Sequence, residues 1–128
     1  MKEQTSAYLD KARELLDNAD AILRIDLYEA AGRTAYLAGF HAAQAFIFET
    51  SGRIYKTHSG VHGEFSRLVK DDPRVDGQLR AFLGQAYTLK AIADYETGPG
   101  SHVSDERARD AIETARRLVE CITGLMPQ

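Results

Sequence analysis

Residues 33–48, RTAYLAGFHAAQAFIF, decide the fold. The run contains no proline and no period-2 alternation, and its alanines and long apolar side chains favour a helix over a strand. On a 3.6-residue wheel, Tyr36, Leu37, Phe40, Ile47 and Phe48 share one face, with Arg33 and Gln44 near its centre and His41 at its edge. Ala35, Ala38, Gly39 and Ala42 lie opposite, small enough for another helix to approach closely. A helix apolar on nearly every side belongs at the centre of a bundle. The three hydrogen-bonding side chains inside it each need a partner, water or a ligand, because burying an unpaired charge is costly.

Working outward, Asp26 and Glu29 have the spacing of a capping box, and Ile25 and Ala30 that of a hydrophobic staple. The central helix is therefore expected to start there and to stop near Ser51, where Gly52 suits a C-terminal cap. Before it, a helix from near Thr5 to near Ala21 carries the stripe Tyr8, Ala12, Leu15, Leu16, Ala19. After it, the basic loop RIYKTH leads into a short helix with Val61, Phe65, Leu68 and Val69 on one side, ended at Asp71-Asp72-Pro73. Asp72 is expected to cap the next helix, with Pro73 in its first turn and a stripe of Leu79, Phe82, Leu83, Ala86 and Ala93 reaching the loop TGPGS. The last helix starts at Ser104, with Asp105 and Glu106 at the positive end of its dipole. Its buried face is Ala108, Ala111, Ile112, Ala115, Leu118, Val119 and Ile122. These elements specify an all-α chain: one helical domain over residues 1–128, an up-and-down four-helix bundle with one additional short helix.

A length of 128 residues supports a sizeable core without staples, and a single cysteine, Cys121, rules out an internal disulfide and fits a reducing compartment. No apolar stretch suits a signal peptide or a bilayer span, so a cytoplasmic protein without membrane partners is the expectation. A formal charge of -3 argues against a surface coated for indiscriminate nucleic-acid binding, though not against a local basic site.

Two positions carry charge where the pattern asks for hydrocarbon. Lys90 falls in the stripe of its helix with Asp94 one turn on, and Arg33 has Glu29 at the same spacing. Either the charges form two local ion pairs, or Arg33 and Lys90 supply a shared anion site with Asp94 holding Lys90 and with Tyr36 and Gln44 completing the hydrogen bonding. His58 and His62 share a helical face, but two ligands do not make a metal site, and no metal or other cofactor is expected. His41 reads as a hydrogen-bonded core histidine, and His102, beside Gly98 and Gly100, as a loop imidazole able to swing toward Lys90. Arg53, Lys56 and His58 surround Tyr55 in a loop that could meet phosphate and base or simply be solvated. Arg107, Arg109, Arg116 and Arg117 read as the solvated face of the last helix or as a surface for an acidic partner.

The order of these segments resembles the small HEPN-domain proteins. AAGRTAYLAGFHAAQAFI is similar to that family's "A-Y-x-A-x-F-H-A" helix, KTHSGVHGEF to its His-bearing segment, and LKAIADYETG to its "R-x-x-A-D-Y" segment, with SDERARDAIETARRLVECI matching the last helix. The resemblance implies a bundle that dimerises, with functional residues near the subunit interface. It also implies a range of activities: metal-independent ribonucleases, toxins paired with minimal nucleotidyltransferases, and non-catalytic members. Nuclease members carry Arg followed four to six residues later by His, where this chain has Lys90, Asp94 and Tyr95, with His102 beyond. Three functions stay open: a dimeric binder of nucleotide or RNA, with or without a nucleotidyltransferase partner; a metal-independent endoribonuclease using Lys90, Asp94, Tyr95 and His102; and a non-catalytic bundle. The binding residues expected are Arg33, Tyr36, Gln44, His58 and Lys90.

Overall fold

The computed structural model describes residues 1–127 and contains five α-helices: α1 Glu3–Arg24, α2 Tyr28–Ser51, α3 His58–Val69, α4 Gly77–Tyr95 and α5 Asp105–Leu125. A single 3-10 turn, Gly98–Ser101, precedes α5, and there is no strand among the described residues. The chain is all-α, with α2 at the centre, packed against each of the other four helices.

The small-residue face of α2 makes this possible. Ala31, Ala35, Ala38, Ala42 and Ala45 are fully covered. At Gly39 a Cβ would sit 2.5 Å from Cε2 of Phe82, so only glycine lets α4 lay its phenyl ring across the α2 backbone. The buried stripe of α5 is the one its sequence pattern marks, from Ala108 to Ile122. In α1 the stripe centres on Leu9, Ala12, Leu16, Ala19 and Leu23, with Tyr8 and Leu15 at its margins. Gly52 ends α2 in the left-handed conformation, φ 72°.

Two helix starts differ from expectation. α1 runs on to Arg24, leaving three residues to reverse the chain, and Asp26 turns it by taking φ 62°. In that conformation its carboxylate cannot cap α2; it accepts from the Tyr28 hydroxyl at 3.1 Å, while Leu27 holds the cap position without a side-chain bond. Ile25 is exposed, so no hydrophobic staple forms. Likewise α4 begins at Gly77 rather than at Pro73, and its cap is Asp76, which accepts from the Leu79 amide at 2.9 Å. Asp72 instead binds the backbone and guanidinium of Arg74, bracing the turn that seats buried Val75.

Candidate functional site

Ala30, Arg33, Leu37, His41, Gln44 and Phe48, three or four residues apart and each half-buried, form one outward-facing seam along α2. Arg33 and Gln44 therefore do not sit at the centre of a buried face. The helix buries the small-residue side most closely, because that side admits the nearest backbone approach, and turns its polar groups to the open edge.

At one end of this seam Arg33 crosses to α4. Its Nε donates to Asp94 Oδ1 at 2.6 Å, and Lys90 Nζ donates to the other carboxylate oxygen, Oδ2, at 2.8 Å. The expected Lys90–Asp94 pair is present, but Arg33 does not pair with Glu29. Glu29 accepts from the Val103 amide at 3.4 Å and faces the imidazole of His102 at 3.5 Å. Two cations on one carboxylate leave a net positive charge. Arg33 keeps 40 % of its side chain exposed while Lys90 keeps 13 %, so Arg33 is the part open to solvent. The hydrogen bond from Lys90, followed by that from Arg33, holds the Asp94 carboxyl below the usual carboxylate range. The Lys90 ammonium lies 6.0 Å from the Tyr87 ring centre and 5.5 Å from that of Tyr95, within cation–π range of both.

One turn along α2, the fully buried Tyr36 meets α3. Its hydroxyl is 2.6 Å from His58 Nδ1 and 2.7 Å from His62 Nε2. The i, i+4 spacing of the two histidines brings both imidazoles onto a single oxygen. That hydroxyl has one hydrogen to give. With both rings neutral, it donates to one imidazole and accepts N–H from the other, so one far nitrogen carries a proton and the other a lone pair. Burial lowers the pKa of both histidines, with Lys90 adding to the effect at His58 and His58 at His62, so the rings are neutral at pH 7. Burial also raises the Tyr36 phenol, which stays protonated.

Tyr87 of α4 closes the cluster, its ring centre 5.4 Å from Tyr36, 5.3 Å from His58 and 5.5 Å from His62. Outside it lies an open groove of about 580 Å³ lined by Thr57, His58, Ser59, His62 and Tyr87. Tyr87 is 39 % exposed on this groove. The spacing of His58 and His62 marked these two residues in the sequence. Tyr87 left no such signal, being one aromatic among several on an apolar helix.

The remaining expected residues lie elsewhere or in other roles. Gln44 Oε1 accepts from His41 Nδ1 at 2.7 Å, farther along the seam, and does not join Lys90. His102, 80 % exposed, is held toward Glu29 rather than Lys90. Tyr95 projects from the end of α4 and is largely exposed beside the Lys90 ammonium. The loop residue Tyr55 spends its hydroxyl on Glu64 at 2.9 Å, which Arg67 also binds, so its ring is committed to the fold and is not a free stacking platform. Arg116 and Arg117 pair with Asp20 and Asp76, both at 2.6 Å, so the α5 arginines serve inter-helix contacts as well as solvent. A second groove of about 460 Å³ between α4 and α5 holds Arg107 and Asp110, one charge of each sign, and no imidazole. No cluster of three metal-ligating carboxylate, imidazole or thiol side chains occurs among the described residues. No helix there is long and apolar enough to cross a membrane.

Comparison with known proteins gives a family model, HEPN domain, that matches residues 5–125. Among curated sequences, the chain is 28 % identical over 122 residues to "Putative toxin MJ0605" of Methanocaldococcus jannaschii, covering 95 % of this chain and 88 % of that one. It is 27 % identical over 116 residues to "UPF0332 protein" of Thermotoga maritima, covering 91 % and 86 %. Among solved structures, TT1696 of Thermus thermophilus superposes with a TM-score of 0.76 at 21 % identity, over 96 % of this chain and 98 % of that one, a likeness of fold.

Proposed function

This chain belongs to the HEPN-domain family, and from that premise we propose that it is a dimeric toxin-like protein that binds nucleotide or RNA and pairs with a minimal nucleotidyltransferase. The observation that carries the binding assignment is Asp94 shared by Arg33 and Lys90. Lys90, the more deeply placed cation, already pairs with Asp94, and a partly exposed ion pair such as Arg33–Asp94 contributes about 0–1 kcal/mol to stability, too little to explain a second cation as a prop for the core. As a preset anion site the same arrangement is economical. Asp94 orients both cations, and an incoming phosphate meets the guanidinium of Arg33 and the ammonium of Lys90 beside neutral imidazoles. The toxin name of a relative similar over most of both chains supports a two-protein pair. The half-buried Leu37 and Phe48 on the open seam of α2 supply apolar surface for a second copy.

Lys90→Ala and Arg33→Ala test the site. Each is expected to weaken binding of mononucleotides and short RNA tenfold or more while lowering the melting temperature by only a few degrees. Large losses of melting temperature, with no wild-type binding to lose, return the residues to a structural role. Purification from the native cell tests the partner, and the intact mass of Tyr95-containing peptides shows whether that partner modifies the exposed phenol.

One observation favours a second activity, metal-independent RNA cleavage. His58 is neutral, held by Tyr36 through Nδ1, and near Lys90, so its Nε2 is the nitrogen available to exchange a proton with a ribose hydroxyl. In that role it replaces His102, which is turned to Glu29. A His58→Gln variant that cleaves single-stranded RNA as well as the wild type excludes it.

A further inference from the structure

We propose that the groove between α3 and α4 is a nucleobase site: an unpaired base stacks on Tyr87 with its edge toward His58 and His62, while its phosphate lies on Lys90 and Arg33. This deepens the anion-site assignment above and rests on it. Three observations converge on it. First, the wall is aromatic where it is exposed. Tyr87 stands 39 % open on a groove of about 580 Å³, its back supported by Tyr36 at 5.4 Å, which gives a flat ring in fixed orientation. Stacking on such a ring suits any base, since every base has a π-face.

Second, the cation is at the right place for a nucleotide. Lys90 Nζ is 6.0 Å from the centre of the same ring, so a base on Tyr87 carries its phosphate into the reach of the ammonium without a linker. The local charge, two cations against Asp94, is complementary to that phosphate.

Third, the polar edge of the groove can both give and take a hydrogen bond. One hydroxyl hydrogen shared between two imidazoles obliges one of the rings to present an N–H and the other a lone pair. The rings stand 6.3 Å apart at 85°, so a base edge meets one of them at a time; base edges carry both donors and acceptors, and turning the Tyr36 hydroxyl to the other ring exchanges the two roles. The site thereby accepts bases of either pattern, and the Ser59 hydroxyl on the groove wall adds a group that can serve as either donor or acceptor. Since the platform is a single ring on the side of a helix bundle, it takes a base already unstacked, from a free nucleotide or a single strand.

Calorimetric titration of the intact protein with AMP and with ribose 5-phosphate tests the site. AMP is expected to bind roughly tenfold tighter than the sugar phosphate, at the lower part of the range that base–aromatic stacking supplies. Tyr87→Leu is expected to bring AMP down to the level of ribose 5-phosphate, and Tyr87→Phe to restore the difference, while Lys90→Ala weakens both probes by a similar factor. Equal wild-type affinity for the two probes, lost in Lys90→Ala, overturns the base pocket and leaves the anion site standing. So does AMP affinity unchanged in Tyr87→Leu. Failure of both probes to bind at all overturns the anion site and the base pocket together.

Discussion

Replacing Tyr36 by phenylalanine removes one oxygen from the centre of the site and leaves the ring packing in place. The phenyl group keeps its contacts with Phe40, His58 and Tyr87, whose ring centres lie 5.9, 5.7 and 5.4 Å away. What is lost is a pair of hydrogen bonds of 2.6 and 2.7 Å. Each contributes about 1 kcal/mol net, and the two imidazole nitrogens left behind are on half-buried rings that water can partly re-solvate, so the total is roughly 1–2 kcal/mol. For a chain of 128 residues that corresponds to a fall in Tm of roughly 4–8 °C. Calorimetric melts at pH 7.5 measure it. A second readout separates loss of packing from loss of the proton arrangement: long-range 15N spectra should show complementary tautomer populations of His58 and His62 in the wild type, the fraction lost by one ring being gained by the other, and independent populations in Tyr36→Phe. A variant that melts within 1 °C of the wild type, with unchanged imidazole spectra, would refute the shared hydroxyl.

Gly39→Ala should destabilise the fold: its Cβ meets Phe82 Cε2 at 2.5 Å and Cδ2 at 2.9 Å, and overpacking of about 1–3 kcal/mol outweighs the ~1 kcal/mol gain in helix propensity; denaturant titration giving a more stable variant contradicts it. The stability of the wild type should fall as pH is lowered from 7.5 to 5.5. Burial places the folded pKa values of His41, His58 and His62 below their ordinary ones, so the unfolded chain binds more protons in that window. Their stabilisation is complete above about 6.5 and is lost as pH falls through the depressed folded values. Asp72, with a pKa near 2 set by its bonds to Arg74, stays charged throughout and does not mask the effect; a flat profile from denaturant midpoints contradicts the linkage. Light scattering should find a dimer at micromolar concentration, weakened by Leu37→Glu on the open seam of α2; a wild type that is monomeric there removes the proposed interface.

The helices were readable because their signals are local. The α5 stripe, the Ser104 cap and the Gly52 stop each depend on residues within a turn or two of one another. The two starts that differ were decided by the chain's path between helices. Asp26 has the residue type of a cap, but the three-residue reversal forces it to positive φ. Asp72 has it too, yet the turn that seats Val75 moves the cap on to Asp76.

The site divides along the same line. Lys90 and Asp94 are one turn apart, and helical spacing alone joins them. Arg33 stands 61 residues from the carboxylate it binds, so helical spacing offered it the wrong partner, Glu29, where the fold offered Asp94. The histidine pair was visible as a spacing, but two ligands do not make a metal site, and the spacing by itself named no partner for the imidazoles. What changes its meaning is Tyr36, a phenol too deeply placed to reach water and therefore in need of a hydrogen-bond partner inside the protein. A buried tyrosine on the central helix and two imidazoles on the next one answer each other's unsatisfied groups. That requirement, rather than any motif, is what ties α3 to α2 at this end of the bundle and fixes the imidazoles in one orientation. The placement of Tyr87 over all three rings then follows from packing α4 against the same residues, and the groove is the space left beside it.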